Sequence, residues 1–359
     1  MNICFLLNDA YGIGGIERVA RIVADGLSSS HRIFVQSLFL RKEGSLSPAW
    51  QTKITCQYEN RTSLKKIFIG SAKKLRAFNR EQKVDLVISV GEAMAPIAAL
   101  AVFQTGVQHI CWTHNNIGVN QEYSFQRLCR YLAVKSSDFV VTLTDHSREQ
   151  FARTYRTNHL CTIPNPVDEH LIKDFSYCLE SKKLITVGRF CRAKNYSLLV
   201  EVAELVLPQN PDWTWDIYGD GDLFLDIQKE LSRKNLLGRV RLMGAVDNLY
   251  ELYPDYSIQV MTSSYEGFPM VLLEGMASGL PLVAFDIETG PSEIIQEGEN
   301  GFLVQPFDKE TMAKRILYLM RHPTVRLKMS DKNRLLRYRY SQEKILESWN
   351  SLLERISER

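Results

Sequence analysis

The 359-residue sequence has little that is apolar over any length. Ile3–Leu7 lacks a basic leader and is too short for a signal peptide, and Ala95–Phe103 is too short to span a bilayer. Cysteine is sparse and unpatterned. Cys4, Cys56, Cys111, Cys129, Cys161, Cys178 and Cys191 are odd in number and never spaced Cys-x-x-Cys, which argues against a disulfide framework or a zinc site and fits a reducing cytosol. There is no low-complexity segment and no short repeat. Charge of one sign is also missing, with 44 basic and 41 acidic residues for a formal net charge of +3, and no nucleic-acid partner is expected. These absences leave a cytoplasmic protein, at most peripheral to a membrane. Its length suggests two domains, each large enough for its own core.

The charge that is present is unevenly spread. Residues 1–170 hold 20 basic and 14 acidic side chains (+6), and the remainder hold 24 and 27 (−3). Much of the excess lies in Lys65, Lys66, Lys73, Lys74, Arg76, Arg80 and Lys83, faced within that stretch only by Glu81. Such a helix suits either an anionic membrane surface or plain solvation.

Strand-like and helical runs alternate almost throughout. In the first half the strands are Ile3–Asn8, Ile33–Phe39, Ile54–Tyr58, Leu86–Val90, His109–Thr113 and Phe139–Leu143. The second half restarts with Leu184–Val187, Trp213–Tyr218, Val240–Met243, Ile258–Met261, Leu282–Phe285 and Phe302–Val304. This alternation predicts α/β architecture with parallel sheets. Pro164-Asn165-Pro166 cannot continue a helix or a central strand, so the boundary falls there, giving domains 1–166 and 167–340. The tail 341–359 reads as one amphipathic helix with Ile345, Trp349, Leu352, Leu353 and Ile356 on one side.

Residues 263–286 carry the densest signal. Glu266-Gly267-Phe268-Pro269-Met270 leads into Glu274-Gly275-Met276-Ala277-Ser278-Gly279, then Pro281 and a strand. Pro269 suits the first helical position. Glu266 then lies in the loop before the helix, and Glu274 inside a helix whose other residues are apolar or small. A buried carboxylate needs partners, for which sugar or ribose hydroxyls are candidates. The free amides at the helix start favour an anion such as a phosphate.

This stretch resembles the signature of the family 4 glycosyltransferases, two glutamates separated by seven residues and followed by a small-residue helix end and a Pro-led strand. The resemblance implies the GT-B fold: two Rossmann-like domains with parallel sheets facing across a cleft, and a C-terminal helix crossing back to the N-terminal domain. It also implies a retaining hexosyltransferase that uses a nucleotide sugar, expected to be UDP-linked, and needs no metal or other cofactor. The acceptor would be a glycan or polyprenol-linked glycan in cell-surface polysaccharide assembly. A sugar-nucleotide epimerase of the same fold and a non-catalytic nucleotide-sugar-binding subunit remain alternatives.

Other motifs fall at strand ends. Gly188-Arg189-Phe190 with Lys194 places two cations where they can bracket a diphosphate; in the resembled family this arginine and lysine do so. Gly14 and Gly15 open a helix after the first strand, where backbone amides can approach a phosphate. Their spacing is not Gly-x-Gly-x-x-Gly, and no acid ends the second strand, so a dinucleotide site is disfavoured. The resemblance puts these glycines near the donor phosphate and the acceptor, His114 with its neighbour Asn115 on the wall of the donor-sugar site, and the nucleobase near Met243-Gly244. It assigns the diphosphate to Arg189, Lys194 and the turn of Gly267, Phe268, Pro269 and Met270, whose donors are the amides other than that of the proline, the ribose to Glu274, and the donor sugar to Glu266, with nucleophilic and orienting roles for Glu266 both open. Asp220-Gly221-Asp222 reads as a turn with Asp222 as helix cap rather than as a metal ligand pair.

Overall fold

A computed structural model describes residues 1–12, 14–39, 50–60, 62–114, 124–173, 177–246 and 249–358. The chain forms two compact units, one of Met1–Pro166 with Gln342–Arg359 and one of Val167–Ser341. Among the described residues the first unit holds a seven-stranded parallel sheet. Its strands are β1 (Asn2–Leu7), β2 (Arg32–Phe39), β3 (Ile54–Tyr58), β4 (Leu86–Val90), β5 (Gln108–Trp112), β6 (Phe139–Thr142) and β7 (Leu160–Thr162), in the order β3-β2-β1-β4-β5-β6-β7. β1, β4 and β5 are almost wholly buried apolar runs, as strands covered on both faces must be.

The second unit holds six parallel strands among its described residues. These are β8 (Lys183–Val187), β9 (Thr214–Tyr218), β10 (Val240–Gly244), β11 (Ile258–Met261), β12 (Leu282–Phe285) and β13 (Gly301–Val304), in the order β10-β9-β8-β11-β12-β13. Both sheets therefore reverse direction once, between β1 and β4 and between β8 and β11. Loops leaving neighbouring strands diverge at such a point, and the crevice they open beyond the carboxyl ends is where open α/β sheets take ligands.

The tail helix, Gln342–Ser357, belongs to the first unit and buries Ile345, Trp349, Leu352, Leu353 and Ile356. Trp349 meets Trp112 of β5 edge-on, with ring centroids 4.8 Å apart. Gly26 admits Leu346, because a β-carbon there would lie 2.5 Å from the leucine Cδ1. The 3-residue edge strand β7 and the helix Ala95–Val102 went unread in the sequence. Both are too short for periodicity to declare itself.

Candidate active site

Three loops leaving β8, β9 and β10 are laced together by backbone hydrogen bonds. The Gly188 amide donates to Tyr218 O (2.9 Å), Phe190 to Asp220 O (2.9 Å), Leu223 to Phe190 O (3.1 Å) and Gly219 to Gly244 O (2.8 Å). The glycines of this turn are required by space. A β-carbon on Gly219 (φ +144°) would sit 2.0 Å from Gly188 O, and one on Gly221 (φ +151°) 2.6 Å from Phe190 O. Phe190 is fully buried and stacks on Tyr196 at 4.5 Å, while the Tyr196 hydroxyl donates to Gly188 O (2.7 Å). Anchored on both sides, Arg189 is left exposed, with no ion pair among the described residues.

Asp222 does not cap the next helix. Helix Phe224–Arg233 starts after Leu223, without a side-chain cap, and the Phe224 amide that Asp222 would have bound goes to Gly221 O instead (3.1 Å). Met243 is 43% exposed at the end of β10, and Gly244 turns the chain at φ +75° after a register shift in the β9–β10 pairing.

Lys194 ends a short turn of 3-10 helix, Arg192–Lys194, just beyond β8. That turn is tied to the loop leaving β11: the Ser264 amide donates to Ala193 O (2.8 Å), and Thr262 Oγ1 to Lys194 O (3.0 Å). Lys194 Nζ then donates to Glu266 Oε1 at 2.6 Å, across the point where the sheet reverses. Both side chains are largely shielded, 18% and 15% exposed. Two residues 72 apart in sequence thus form one charged pair at the crevice predicted from topology.

Helix Met270–Ala277 follows, and Pro269 is its cap rather than its first residue. With ψ at 92° Pro269 lies outside the helix, and its carbonyl accepts the amides of Leu272 and Leu273. Met270 and Val271 have no carbonyl a turn earlier to reach, so the helix presents free donors here. Phe268 is buried and packs on Tyr340, with ring centroids at 6.0 Å, and Gly267 is half-buried. Glu274 is 2% exposed and accepts from the Tyr253 hydroxyl at 3.2 Å. Gly275 lets the helix lie on β11: a β-carbon would sit 1.3 Å from Gln259 Oε1, whose amide nitrogen bonds Val271 O. Gly279, at φ +84°, ends the helix with the Leu280 amide bonded back to Gly275 O.

In the first unit Gly14 caps helix Gly15–Leu27 in extended conformation, and its side-chain space is taken by the Glu17 carboxylate, 2.5 Å from where a β-carbon would be. His114 follows β5 and is buried against Trp112 (centroids 4.6 Å), with no hydrogen-bond partner for Nε2 among the described residues. Burial lowers its pKa to about 3, so the ring is neutral at physiological pH. Asn115 lies outside the described residues.

Two family descriptions tile this chain, "Glycosyltransferase Family 4" over residues 13–171 and "Glycosyl transferases group 1" over residues 171–336. An uncharacterized glycosyltransferase of Haemophilus influenzae is 31% identical over 97% of this chain and 99% of its own. The chain belongs to the group 1/family 4 glycosyltransferases. It is therefore a hexosyltransferase-type enzyme that transfers a sugar from a nucleotide sugar. A poly(ribitol-phosphate) α-N-acetylglucosaminyltransferase of Staphylococcus aureus is 33% identical over 59% of the chain, which spans only 43% of that relative. Anabaena HepE, solved in complex with UDP-glucose, superposes with a TM-score of 0.81 at 18% identity, covering 99% of both chains, and shares the GT-B fold.

Two features of this glycosyltransferase escaped the sequence. Thr289 Oγ1 donates to the Glu266 carbonyl at 2.6 Å, and Gly290, at φ +101°, brings its backbone against Pro269, 2.4 Å from ring to would-be β-carbon. Through these two contacts the loop after β12 holds Glu266 and Pro269 in place. The second is Glu17, whose carboxylate folds over Gly12 and Gly14. Only the Gly-x-Gly-Gly-x-Glu spacing hinted at it. Among the described residues no helix is long and apolar enough to cross a membrane.

Proposed function

We propose that this glycosyltransferase moves a hexose or N-acetylhexosamine from a UDP-sugar to a glycan acceptor carried on a polyprenol-type lipid, with retention of configuration, in cell-surface polysaccharide assembly (lipopolysaccharide, O-antigen, capsule or exopolysaccharide). The observation that carries the donor side is the Lys194–Glu266 contact across the β8/β11 reversal, with Arg189 exposed beside it. In the reaction the sugar–phosphate bond breaks, the acceptor oxygen bonds to the anomeric carbon as its proton passes to a departing phosphate oxygen, and UDP leaves with the remaining charge. Arg189, Lys194 and the amides of the Gly267–Met270 turn stabilise that charge where it develops. Glu274 accepts hydrogen bonds from the ribose, and Glu266 from hydroxyls of the donor sugar. Met243 and Gly244 border the nucleobase.

In the first unit the Gly14-Gly15 turn approaches the substrates through backbone atoms. His114, neutral and with a ring nitrogen that has no partner among the described residues, offers a hydrogen bond to a sugar hydroxyl. UDP-glucose bound by HepE supports a UDP-linked donor, and an α-linked product named for the Staphylococcus aureus relative supports retention. That relative's acceptor also supports a cell-surface polymer.

A panel of UDP- and GDP-sugars, each with and without membrane lipid extract, tests the reading. UDP release that rises with the extract and yields a glycosylated lipid is expected. Release of free or epimerised sugar independent of any acceptor would instead favour an epimerase of the same fold.

A further inference from the structure

Three buried tyrosines of the second unit, Tyr218, Tyr253 and Tyr256, have no part in the reaction described above. Tyr218 ends β9, Tyr253 opens the 3-10 turn Tyr253–Asp255, and Tyr256 follows that turn ahead of β11. Two of the hydroxyls form a directed chain ending on Asp216 of β9. Asp216 is buried and holds Arg241 of β10 through two bonds, at 2.5 and 2.6 Å, so its carboxylate is an acceptor only. The Tyr256 hydroxyl donates to it at 2.7 Å. The Tyr256 oxygen is left to accept, and the Tyr218 hydroxyl donates to it at 2.8 Å.

This network reaches each wall of the nucleotide pocket. The Tyr218 carbonyl receives the Gly188 amide, beside Arg189, at 2.9 Å. Arg241 stands two residues before Met243 on the same strand. Tyr253, in the turn that Tyr256 anchors, donates its hydroxyl to Glu274 Oε2 at 3.2 Å. Tyr253 is fully buried, so its hydroxyl is no ligand group; it acts on the carboxylate. The last torsion of a glutamate is broad, and a bond to one oxygen restricts the plane in which both oxygens point. We propose that Tyr253 is a positioning residue, which aims the Glu274 carboxylate so that both ribose hydroxyls bond to it, and that the Asp216–Tyr256–Tyr218 network fixes the turn carrying Tyr253. The site is thereby selective for a ribonucleoside diphosphate over its deoxy forms. The inference rests on the proposed ribose role of Glu274.

The test is calorimetry of the intact protein with UDP and with dideoxyuridine diphosphate, which lacks both ribose hydroxyls. Wild type should prefer UDP on the order of 100-fold, as two hydroxyls bonding a carboxylate imply. Tyr253→Phe keeps the ring, and should weaken UDP about tenfold while changing the dideoxy form less than about twofold. Tyr256→Phe, one step further from Glu274, should contract the preference roughly threefold. Tyr177→Phe removes a hydroxyl that donates to Ser257 O at 3.0 Å in the same unit, and should leave the preference unchanged. Should Tyr253→Phe fail to fold, the preference in Tyr256→Phe decides alone. Parallel losses for both nucleotides in Tyr253→Phe, or an equal contraction in Tyr177→Phe, mark a structural tyrosine and overturn the proposal. If Glu274→Gln erases the preference and Tyr253→Phe leaves it intact, the positioning role fails while the ribose role stands. A wild type that binds both nucleotides alike overturns the two together.

Discussion

Lys194 satisfies Glu266 at 2.6 Å, and that contact fixes what each group can do next. On the proposed reading, a diphosphate arriving at the end of β8 shares the lysine, which frees carboxylate oxygen for sugar hydroxyls. The pair therefore keeps both side chains in position and leaves neither as an isolated buried charge. Glu274 is differently placed, inside a helix and held by Tyr253. Glu274→Gln keeps the shape and removes the charge, and hydrogen bonds to a charged acceptor contribute about 1.5–3 kcal/mol. UDP affinity by calorimetry should fall roughly 10- to 100-fold, while an unchanged Kd would remove Glu274 from the ribose. Both glutamates, and Arg189 with Lys194, could be singled out in the sequence because each motif is contiguous. Their grouping was not readable there, since it depends on β8 and β11 becoming neighbours.

At the scale of elements, rigidity comes from loops bonded to loops. Thr289 belongs to the turn after β12, yet its hydroxyl holds the carbonyl of Glu266, 23 residues earlier. Side chain-to-backbone bonds of this kind leave no spacing signal, which is why the sequence was silent about it. Thr289→Val should lower kcat about tenfold with UDP affinity unchanged, and Thr289→Ser should restore it. A loss in Thr289→Ser with Thr289→Val near wild type would mean that the methyl packing matters, not the hydrogen bond. Pro269 and Asp222 teach a related lesson. Local propensity placed a helix start correctly to within one residue, and the tertiary bonds of the neighbouring loop chose the capping position.

The end of β5 carries a pH signature. His114 titrates near 3 and His109, buried between Ser89 and Ser137, near 4, against 6.5 for a free imidazole, and burial is the main cause in both. Between those values and 6.5 the unfolded chain binds protons that the folded chain does not, so stability falls as pH drops through 6.5. Each ring contributes a slope of up to about 1.4 kcal/mol per pH unit in that window. His114→Phe should flatten the urea-unfolding free energy against pH by about that amount between roughly pH 6 and pH 4. An unaltered slope would show that His114 is not buried neutral.

For the whole molecule, the tail decides which unit is complete. Periodicity alone identified the face Ile345, Trp349, Leu352, Leu353 and Ile356, and those residues are the ones buried. Its destination in the first unit came only from family resemblance, because an amphipathic stripe says that something covers it and not what. Trp349→Ala empties the contact with Trp112 and should cost about 3–5 kcal/mol. In two-step denaturation the loss should fall on the first unit's transition, and a loss confined to the second would contradict the packing. The alternating strands made the two parallel sheets legible.

The central claim is that the crevice at the β8/β11 reversal is where the nucleotide sugar reacts. Steady-state UDP release by Arg189→Ala and Glu266→Ala, measured with the donor and acceptor that the wild type uses, tests it most directly. Each substitution should slow turnover on the order of 100-fold, about 2.7 kcal/mol of transition-state stabilisation, in protein that still unfolds cooperatively. Near-native turnover in both would place the chemistry elsewhere.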